Sequence, residues 1–367
     1  MKIGIDISQI GYPGTGVSRY LKGLVDAITQ FEREHTWFFF FSSLRNSLDP
    51  ETRKKIQDSG HRLFTYPFPP RLLSFLWNDL HRMPVERLIG DVDWFITSDW
   101  TEPPSNTRKA TVIHDLVFLQ YPETVDPKIL QTQKKRMRWV QNESDLIFCD
   151  SIATKHDVVK FLRLDEYKLE TIYPGVTVMK PSEADVSRTL LRYGLTRPFI
   201  LTVGKIEPRK NIKRLVDAFL SLDPQRANMD LVIVGPSGWG GSEFTMDKRI
   251  KLLGFVKDEE LFSLYASCLF FVYPSLYEGF GYPIVEAMKL GCPVVTSNVS
   301  SLREIGQDCA YLFDPTNTSD IRKALQTLFF DESLRRSLVG KGLEKSHSFT
   351  WKNCYSHVIT LLEKQTL

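Results

Sequence analysis

The feature that most constrains the fold is a series of short apolar runs, recurring from one end of the chain to the other with helix-patterned stretches between them. Runs this short, closed by glycine, proline or polar turns, read as strands buried on both faces. Strand and helix in regular alternation imply α/β layers built on parallel sheets. In the first half the runs lie at 2–7, 37–42, 94–97, 111–113 and 146–149. Tyr173-Pro174-Gly175 then punctuates the chain, and a polar, strandless stretch follows at 180–185. The domain boundary is expected there. In the second half the runs lie at 199–203, 231–234, 249–252, 269–273 and 293–296, and the first two lead straight into Gly204 and Gly235. The expectation is an α/β protein of two doubly wound Rossmann-like domains, 1–175 and 176–348, facing each other across a cleft. Ligands in such sheets bind outside the carboxyl ends of the strands. Residues 349–367 form a terminal segment, with helical periodicity over 351–362.

A length of 367 residues exceeds one ordinary core and suits two domains. A net charge of +3 is too small to argue for nucleic acid as a partner. The basic run at 134–138 reads as a solvated helix face. Cys149, Cys268, Cys292, Cys309 and Cys354 are odd in number and form no CxxC pair. That pattern argues against a disulfide scaffold and a zinc site, and suits a reducing compartment. The N-terminus carries Asp6 inside its apolar stretch and reads as a first strand, not a signal peptide. No apolar run approaches the ~18 residues needed to span a bilayer, and the aromatic block at 37–41 reads as a buried strand. A cytoplasmic location is expected, with peripheral contact at the inner face of the membrane left open. The segment 71–88, with Phe75, Leu76, Trp77 and Leu80, reads as packed helix before it reads as lipid contact.

The most informative stretch runs from Tyr273 to Pro293, YPSLYEGFGYPIVEAMKLGCP. A strand ends near Tyr273 and a loop with two glycines follows. Pro283 sits where the first turn of a helix tolerates it, and Gly291 where a helix stops. The free N–H groups of such a helix start, with glycines allowing close approach, suit a diphosphate. Glu278 precedes this site and Glu286 lies about one turn inside the helix. Extended chain plus one turn separates the two carboxylates by ~10 Å, a span that matches the sugar and ribose ends of a nucleotide sugar. For Glu286 alone the bland alternative is a residue favoured by the helix dipole.

A second element, VGKIEPRKN over 203–211, joins a strand to a helix whose expected N-cap is Asn211. Lys205, Arg209 and Lys210 in one turn suit a phosphoryl group gaining charge as it leaves. A third, GYPGTGVSRY over 11–20, opens a helix after the first strand. Its GxxGxG spacing departs from the dinucleotide fingerprint, and no acid stands at the end of the second strand. It reads instead as a loop closing on a diphosphate or the acceptor from the opposite domain. His114-Asp115 follows the strand at 111–113 and is placed to face the cleft as readily as to be structural.

Together these residues resemble glycosyltransferase family 4, the retaining enzymes of GT-B architecture, and particularly the bacterial polysaccharide mannosyltransferase-like and glucosyltransferase-like members. The resemblance is strongest from 199 to 315, including 231–235, the LGFVKDEE segment over 253–260 and the NVSSLRE segment over 298–304. It implies that Glu278 contacts the donor sugar and that backbone amides of Gly279, Phe280 and Gly281 hold sugar or phosphate. Glu286 would bind the ribose, Lys210 the diphosphate, and His114 would lie near the donor sugar. Gly16 would meet the phosphate from the N-terminal domain. Gly204, Lys205, Arg209, Gly235, Phe255 and Val256 join the implied donor site. The implied catalytic residues are His114, Glu278 and Lys210. Many members have arginine where this chain has Lys205, so either Lys205 or Arg209 supplies that contact. The resemblance also implies a C-terminal helix crossing back onto the N-terminal domain.

The implied reaction moves a hexose from GDP-mannose or UDP-glucose to a saccharide or lipid-linked saccharide, in cell-surface polysaccharide synthesis, with no cofactor and no metal. The single Asp-x-Asp, at 91–93, precedes its strand, whereas metal-binding pairs follow one, and no ligand set for Mg²⁺ or Mn²⁺ accompanies it. Three other functions compete with this one. A nucleotide-sugar epimerase would convert donor alone, a NAD-dependent oxidoreductase lacks its acid after strand two, and a non-catalytic sugar-nucleotide-binding protein need not keep Glu278, Lys210 and His114 together.

Overall fold

The aromatic block after Thr36 forms a strand, Thr36–Ser42, in which every residue from Trp37 onward is buried. β-Branched and aromatic side chains with no polar alternation leave no face for water, which places this strand inside a sheet covered by helices on both sides. The computed structural model describes residues 1–225, 227–236, 238 and 247–366. The chain divides into two units: Met1–Gly175 with Thr350–Leu367, and Val176–Phe349.

The first unit has a seven-stranded sheet: β1 (Lys2–Asp6), β2 (Thr36–Ser42), β3 (Arg62–Tyr66), β4 (Trp94–Ser98), β5 (Arg108–Ile113), β6 (Leu146–Cys149) and β7 (Leu169–Thr171). Their order is β3-β2-β1-β4-β5-β6-β7, and every pairing is parallel. The second unit has six strands: β8 (Phe199–Val203), β9 (Asp230–Val234), β10 (Ile250–Gly254), β11 (Phe271–Tyr273), β12 (Val294–Ser297) and β13 (Tyr311–Phe313). They run β10-β9-β8-β11-β12-β13, again all parallel. Each sheet is wound outward in both directions from a reversal of strand order, at β1/β4 and at β8/β11. In doubly wound sheets that reversal opens the crevice where ligands sit.

Every strand read from the sequence is present, with ends moved by a few residues. The strands the sequence did not reveal are β3, β7 and β13, and all three are sheet edges. An edge strand is partly wetted and carries no continuous apolar run: β3 is mostly half-exposed, and β7 and β13 are three residues long.

The terminal helix, Trp351–Thr366, belongs to the first unit and packs on the helix Gly16–Phe31. Cys354, Val358 and Leu362 enter the same core as Leu21, Leu24 and Ile28. Two glycines make room for Trp351. A Cβ on Gly23 would lie 2.0 Å from its ring, and one on Gly175 would lie 2.3 Å from its backbone nitrogen.

One surface reading needs correction. The run at 134–138 lies on the helix Pro127–Glu143, but Arg136 turns inward and is buried, with only Lys134, Lys135 and Arg138 in solvent. Four basic residues within five helical positions cannot share one face, because successive side chains are about 100° apart. In the 71–88 segment a short helix, Pro70–Ser74, runs into one π-helical turn, Phe75–Asp79. Trp77 is buried there and donates from Nε1 to the Met83 carbonyl at 3.0 Å, while Phe75 and Leu80 stay about half exposed. Among the described residues no helix is long and apolar enough to cross a membrane.

Candidate active site

In the second unit the chemistry collects at the β8/β11 reversal. β8 ends at Val203, and Gly204 follows with φ +148°. Gly235, after β9, has φ +143°, and a Cβ there would lie 2.1 Å from the Gly204 carbonyl oxygen. These two glycines let neighbouring strand exits pack backbone to backbone, which is a structural reason for both. The chain then makes a 3-10 turn, Pro208–Lys210, and enters the helix Ile212–Leu220.

That turn brings two cations onto one carboxylate. Lys210 Nζ lies 2.6 Å from Glu278 Oε1, and Arg209 Nη1 lies 2.9 Å from Glu278 Oε2. Tyr273, the last residue of β11, closes the cluster: its hydroxyl accepts from Lys210 Nζ at 2.7 Å and donates to Glu278 Oε1 at 2.9 Å. Arg209 also donates to the Tyr277 carbonyl at 2.8 Å and pairs with Glu207 at 2.9 Å. Burial alone would raise the Glu278 pKa, but Arg209 and Lys210 overcome it and hold the carboxyl at about 2. Burial, together with the neighbouring Arg209, pushes the Lys210 amine below its ordinary value despite Glu278. Burial, with Glu278 beside it, raises the Tyr273 hydroxyl.

The Glu278 backbone is pinned as firmly as its side chain. Its N–H donates to Ser300 Oγ at 3.1 Å and its carbonyl accepts from Ser301 Oγ at 2.8 Å, both from the start of the helix Ser300–Gly306. Downstream, Gly281 takes a left-handed conformation (φ +100°) and opens the helix Tyr282–Lys289 with Pro283 in its first turn. No side chain caps this start; Pro283 has no N–H and the Ile284 N–H donates to the Gly281 carbonyl at 3.1 Å, so what the helix offers an anion is the positive end of its dipole.

The remaining expected donor residues fall out differently. Glu286 is buried on the inner face of that helix, where the Tyr265 hydroxyl donates to its Oε2 at 3.3 Å. Phe280 is a core residue, its ring edge-on to Phe349 at 5.5 Å. Phe255 is exposed and Val256 buried beside it. Lys205 is exposed, whereas Arg209 is in the Glu278 cluster. Asn211 occupies the N-cap position but does not cap. Its backbone is left-handed (φ +58°), and its side-chain amide donates to the Pro274 and Pro315 carbonyls at 3.1 and 2.8 Å. It ties the basic turn to the Glu278 loop, a role that its position before a helix does not announce.

In the first unit, Thr15 caps the helix that begins at Gly16 by accepting from the Ser18 N–H at 3.1 Å. A Cβ on Gly14 or on Gly16 would meet nothing within 4 Å, and only Gly14, at φ +86°, needs glycine for its backbone. His114 stands directly after β5. Its partner is Asp150, just beyond β6, and not the adjacent Asp115: Nδ1 lies 2.7 Å from Asp150 Oδ2. Nε2 lies 2.8 Å from Ser98 Oγ, at the end of β4. Asp115 instead accepts the Val117 N–H at 3.0 Å. Successive residues at a strand exit point apart, so the neighbour in sequence is not the neighbour in space. A cavity of about 190 Å³ opens beside the ring, lined by Val17, Asp99, His114, Asp115, Gln133 and Arg136 among others. A larger hollow, about 430 Å³, lies between 179–192 and 257–263. Arg192 on its wall is engaged by Glu260 at 2.6 Å, and none of the Glu278 cluster lines it.

Asp93 accepts the Lys2 N–H at 2.7 Å, which ties the start of β1 to the chain entering β4. The described residues hold one group of metal-ligand type, Glu34, His35 and Glu363, in the first unit. It includes neither Glu278 nor His114.

Two reversed α/β sheets with a basic turn, a buried glutamate and an uncapped helix start define the GT-B class of sugar transferases. Residues 191–345 match the family described as glycosyl transferases group 1. Over 98 % of both chains the sequence is 29 % identical to O-antigen chain mannosyltransferase B of Escherichia coli. Its fold is similar to that of sucrose-phosphate synthase from Thermosynechococcus elongatus (TM-score 0.74, 19 % identity, 100 % and 99 % of the two chains). It is also similar to that of Anabaena HepE in complex with UDP-glucose (TM-score 0.70, 18 % identity, 99 % and 100 %). The chain is a glycosyltransferase, with its group 1 match lying within the second unit.

Proposed function

We propose that this protein is a retaining, metal-independent hexosyltransferase of family 4, moving a sugar from a nucleoside diphosphate donor to a saccharide or lipid-linked saccharide in cell-surface polysaccharide synthesis. The observation that carries the reading is the Lys210–Glu278–Arg209 cluster at the β8/β11 reversal, next to the uncapped helix at Tyr282. A diphosphate arriving there meets two cations already gathered beside a helix start, and draws them from the Glu207 and Glu278 carboxylates that hold them.

The donor C1–O bond breaks and its electron pair departs on the diphosphate, where Lys210 and Arg209 stabilise it. The acceptor oxygen attacks C1 on the face that the diphosphate vacates, and the acceptor proton passes to a diphosphate oxygen. Glu278, ionised and held by its backbone, orients the sugar. In this reading Lys210 and Arg209 exchange their Glu278 and Glu207 partners for the diphosphate and, with the helix start, supply the counter-charge in place of a metal.

GDP-mannose is the first donor, supported by the likeness to a mannosyltransferase over the whole chain. UDP-glucose is the second, supported by the fold shared with a UDP-glucose complex. Thermal stabilisation by GDP set against UDP, followed by hydrolysis of GDP-mannose and UDP-glucose with and without EDTA, tests the proposal. Stabilisation by one nucleotide and EDTA-resistant turnover of its sugar are expected. Loss of turnover in EDTA removes metal independence, conversion of donor to an isomeric donor points to an epimerase, and no stabilisation by either nucleotide defeats the proposal.

A further inference from the structure

His114 is held at both ends. Three adjacent strand exits each contribute one residue, Ser98 from β4, His114 from β5 and Asp150 from β6, and they form a single hydrogen-bonded line. Asp150 is buried and is followed at once by Ser151, whose side chain caps the helix Ile152–Leu162, so its position is fixed by the chain on both sides. Ser98 is buried as well. The Tyr20 ring meets the imidazole edge-on, with centroids 4.9 Å apart.

This arrangement limits what the imidazole can do. An ionised carboxylate only accepts, so the proton at the Asp150 end belongs to Nδ1. Nε2 faces the Ser98 hydroxyl, which accepts if the ring is charged and donates if it is neutral. In either state neither nitrogen is free to take a proton from an incoming hydroxyl. We propose that Asp150 and Ser98 are positioning residues for His114, engaging one ring nitrogen each, so that the imidazole presents a fixed edge to the cavity and serves the transfer as a held group rather than as a general base. The kinetic part of this inference rests on the transferase reading.

The surroundings are consistent with a charged ring. Burial works against a proton on His114, but Asp150, with Asp99 adding to it, more than offsets burial and the nearby Arg136, and the pKa is raised above the ordinary histidine value. The groups facing the ring are thus Asp150 beyond β6, Asp99 beyond β4, Arg136 from the helix Pro127–Glu143 and Tyr20 from the helix Gly16–Phe31. Asp99 has a left-handed backbone (φ +74°), and its carbonyl accepts from Gln133 Nε2 at 2.6 Å.

The test is imidazole NMR on the full ¹⁵N-histidine-labelled chain, with kinetics beside it. A downfield Nδ1-bound proton, assigned by its loss in His114→Gln, is expected to shift markedly in the isosteric Asp150→Asn. Ser98→Ala should leave that proton in place and change only the Nε2 signal. On whichever of GDP-mannose or UDP-glucose the wild type hydrolyses, Asp150→Asn should lower kcat about tenfold or more and change KM less than twofold. Ser98→Ala should lower kcat by a smaller factor. The proposal is overturned if the Nδ1 proton is unchanged in Asp150→Asn. It is also overturned if Ser98→Ala raises kcat and adds an acid limb to its pH profile, because the freed nitrogen would then be acting as a base. If the wild type hydrolyses neither donor, the transferase reading falls, and the NMR result still decides the positioning role.

Discussion

The two units use the same sheet, yet they assemble their chemistry in opposite ways. In the second unit the working residues come from two contiguous stretches, 204–211 and 273–286, joined across one reversal of strand order. In the first they come singly, Ser98, His114 and Asp150 from three strand exits and Arg136 from a helix face. A contiguous motif is visible as a string because turn, cation and carboxylate must follow one another. A constellation gathered from strand exits has no string, since the sheet spacing of about 4.8 Å does the assembling.

The largest expected effect probes the contiguous half. Lys210→Ala removes the proposed diphosphate partner, and should cost on the order of 2–4 kcal/mol in the transition state, ~30- to 1000-fold in kcat/KM. Unchanged kcat/KM for donor hydrolysis would end the contrast, because the motif would then be scaffold. Next comes a change confined to the first unit. Gly175→Ala places a Cβ against the Trp351 backbone, and should destabilise that unit by about 1–3 kcal/mol. Calorimetry should show the loss while the nucleotide-induced shift of the second unit persists. A loss of both would mean that the units do not behave as separate cores.

Smaller still is Tyr273→Phe, which leaves the ring and removes the hydroxyl between Lys210 and Glu278. A loss of about 1 kcal/mol, ~5-fold in kcat/KM, is expected. A gain would show that the hydroxyl holds the cluster shut against the donor. The smallest effect is in pH. Glu278 is held at about 2 in the folded chain against an ordinary 4.5, so its contribution to stability is present above the ordinary value and disappears as pH falls from about 4.5 toward about 2. Urea midpoints across that range should flatten in Glu278→Gln. An equal slope in both proteins would assign the acid loss to other carboxylates.

Much of the second unit was legible because its constraints are local. Gly281 must be left-handed, Pro283 must sit in a first turn and Gly291 must end the helix, and each residue type states its own requirement. Tyr273 was named only as a strand end. A tyrosine closing an apolar strand reads as core, and its hydroxyl acquires partners only when the 208–210 turn folds over it. What the motif does not reveal is that the Glu286 side chain is buried beside Tyr265 and the Phe280 ring is packed against Phe349. In the first unit the adjacent Asp115 concealed Asp150, thirty-six positions away, and the basic run concealed the inward turn of Arg136.

Composition, period and punctuation by themselves determined the alternation of strand and helix, the buried central strands, the break near Gly175 and the loop that carries Glu278. Those are short-range matters, settled by side-chain volume, backbone dihedrals and the need to bury apolar runs. Tertiary structure alone decided the edge strands β3, β7 and β13, the docking of Trp351 over two glycines, and which acid holds His114. Each of those depends on which surfaces a neighbouring element covers, and coverage is a property of the packed sheet that no stretch of chain carries in itself.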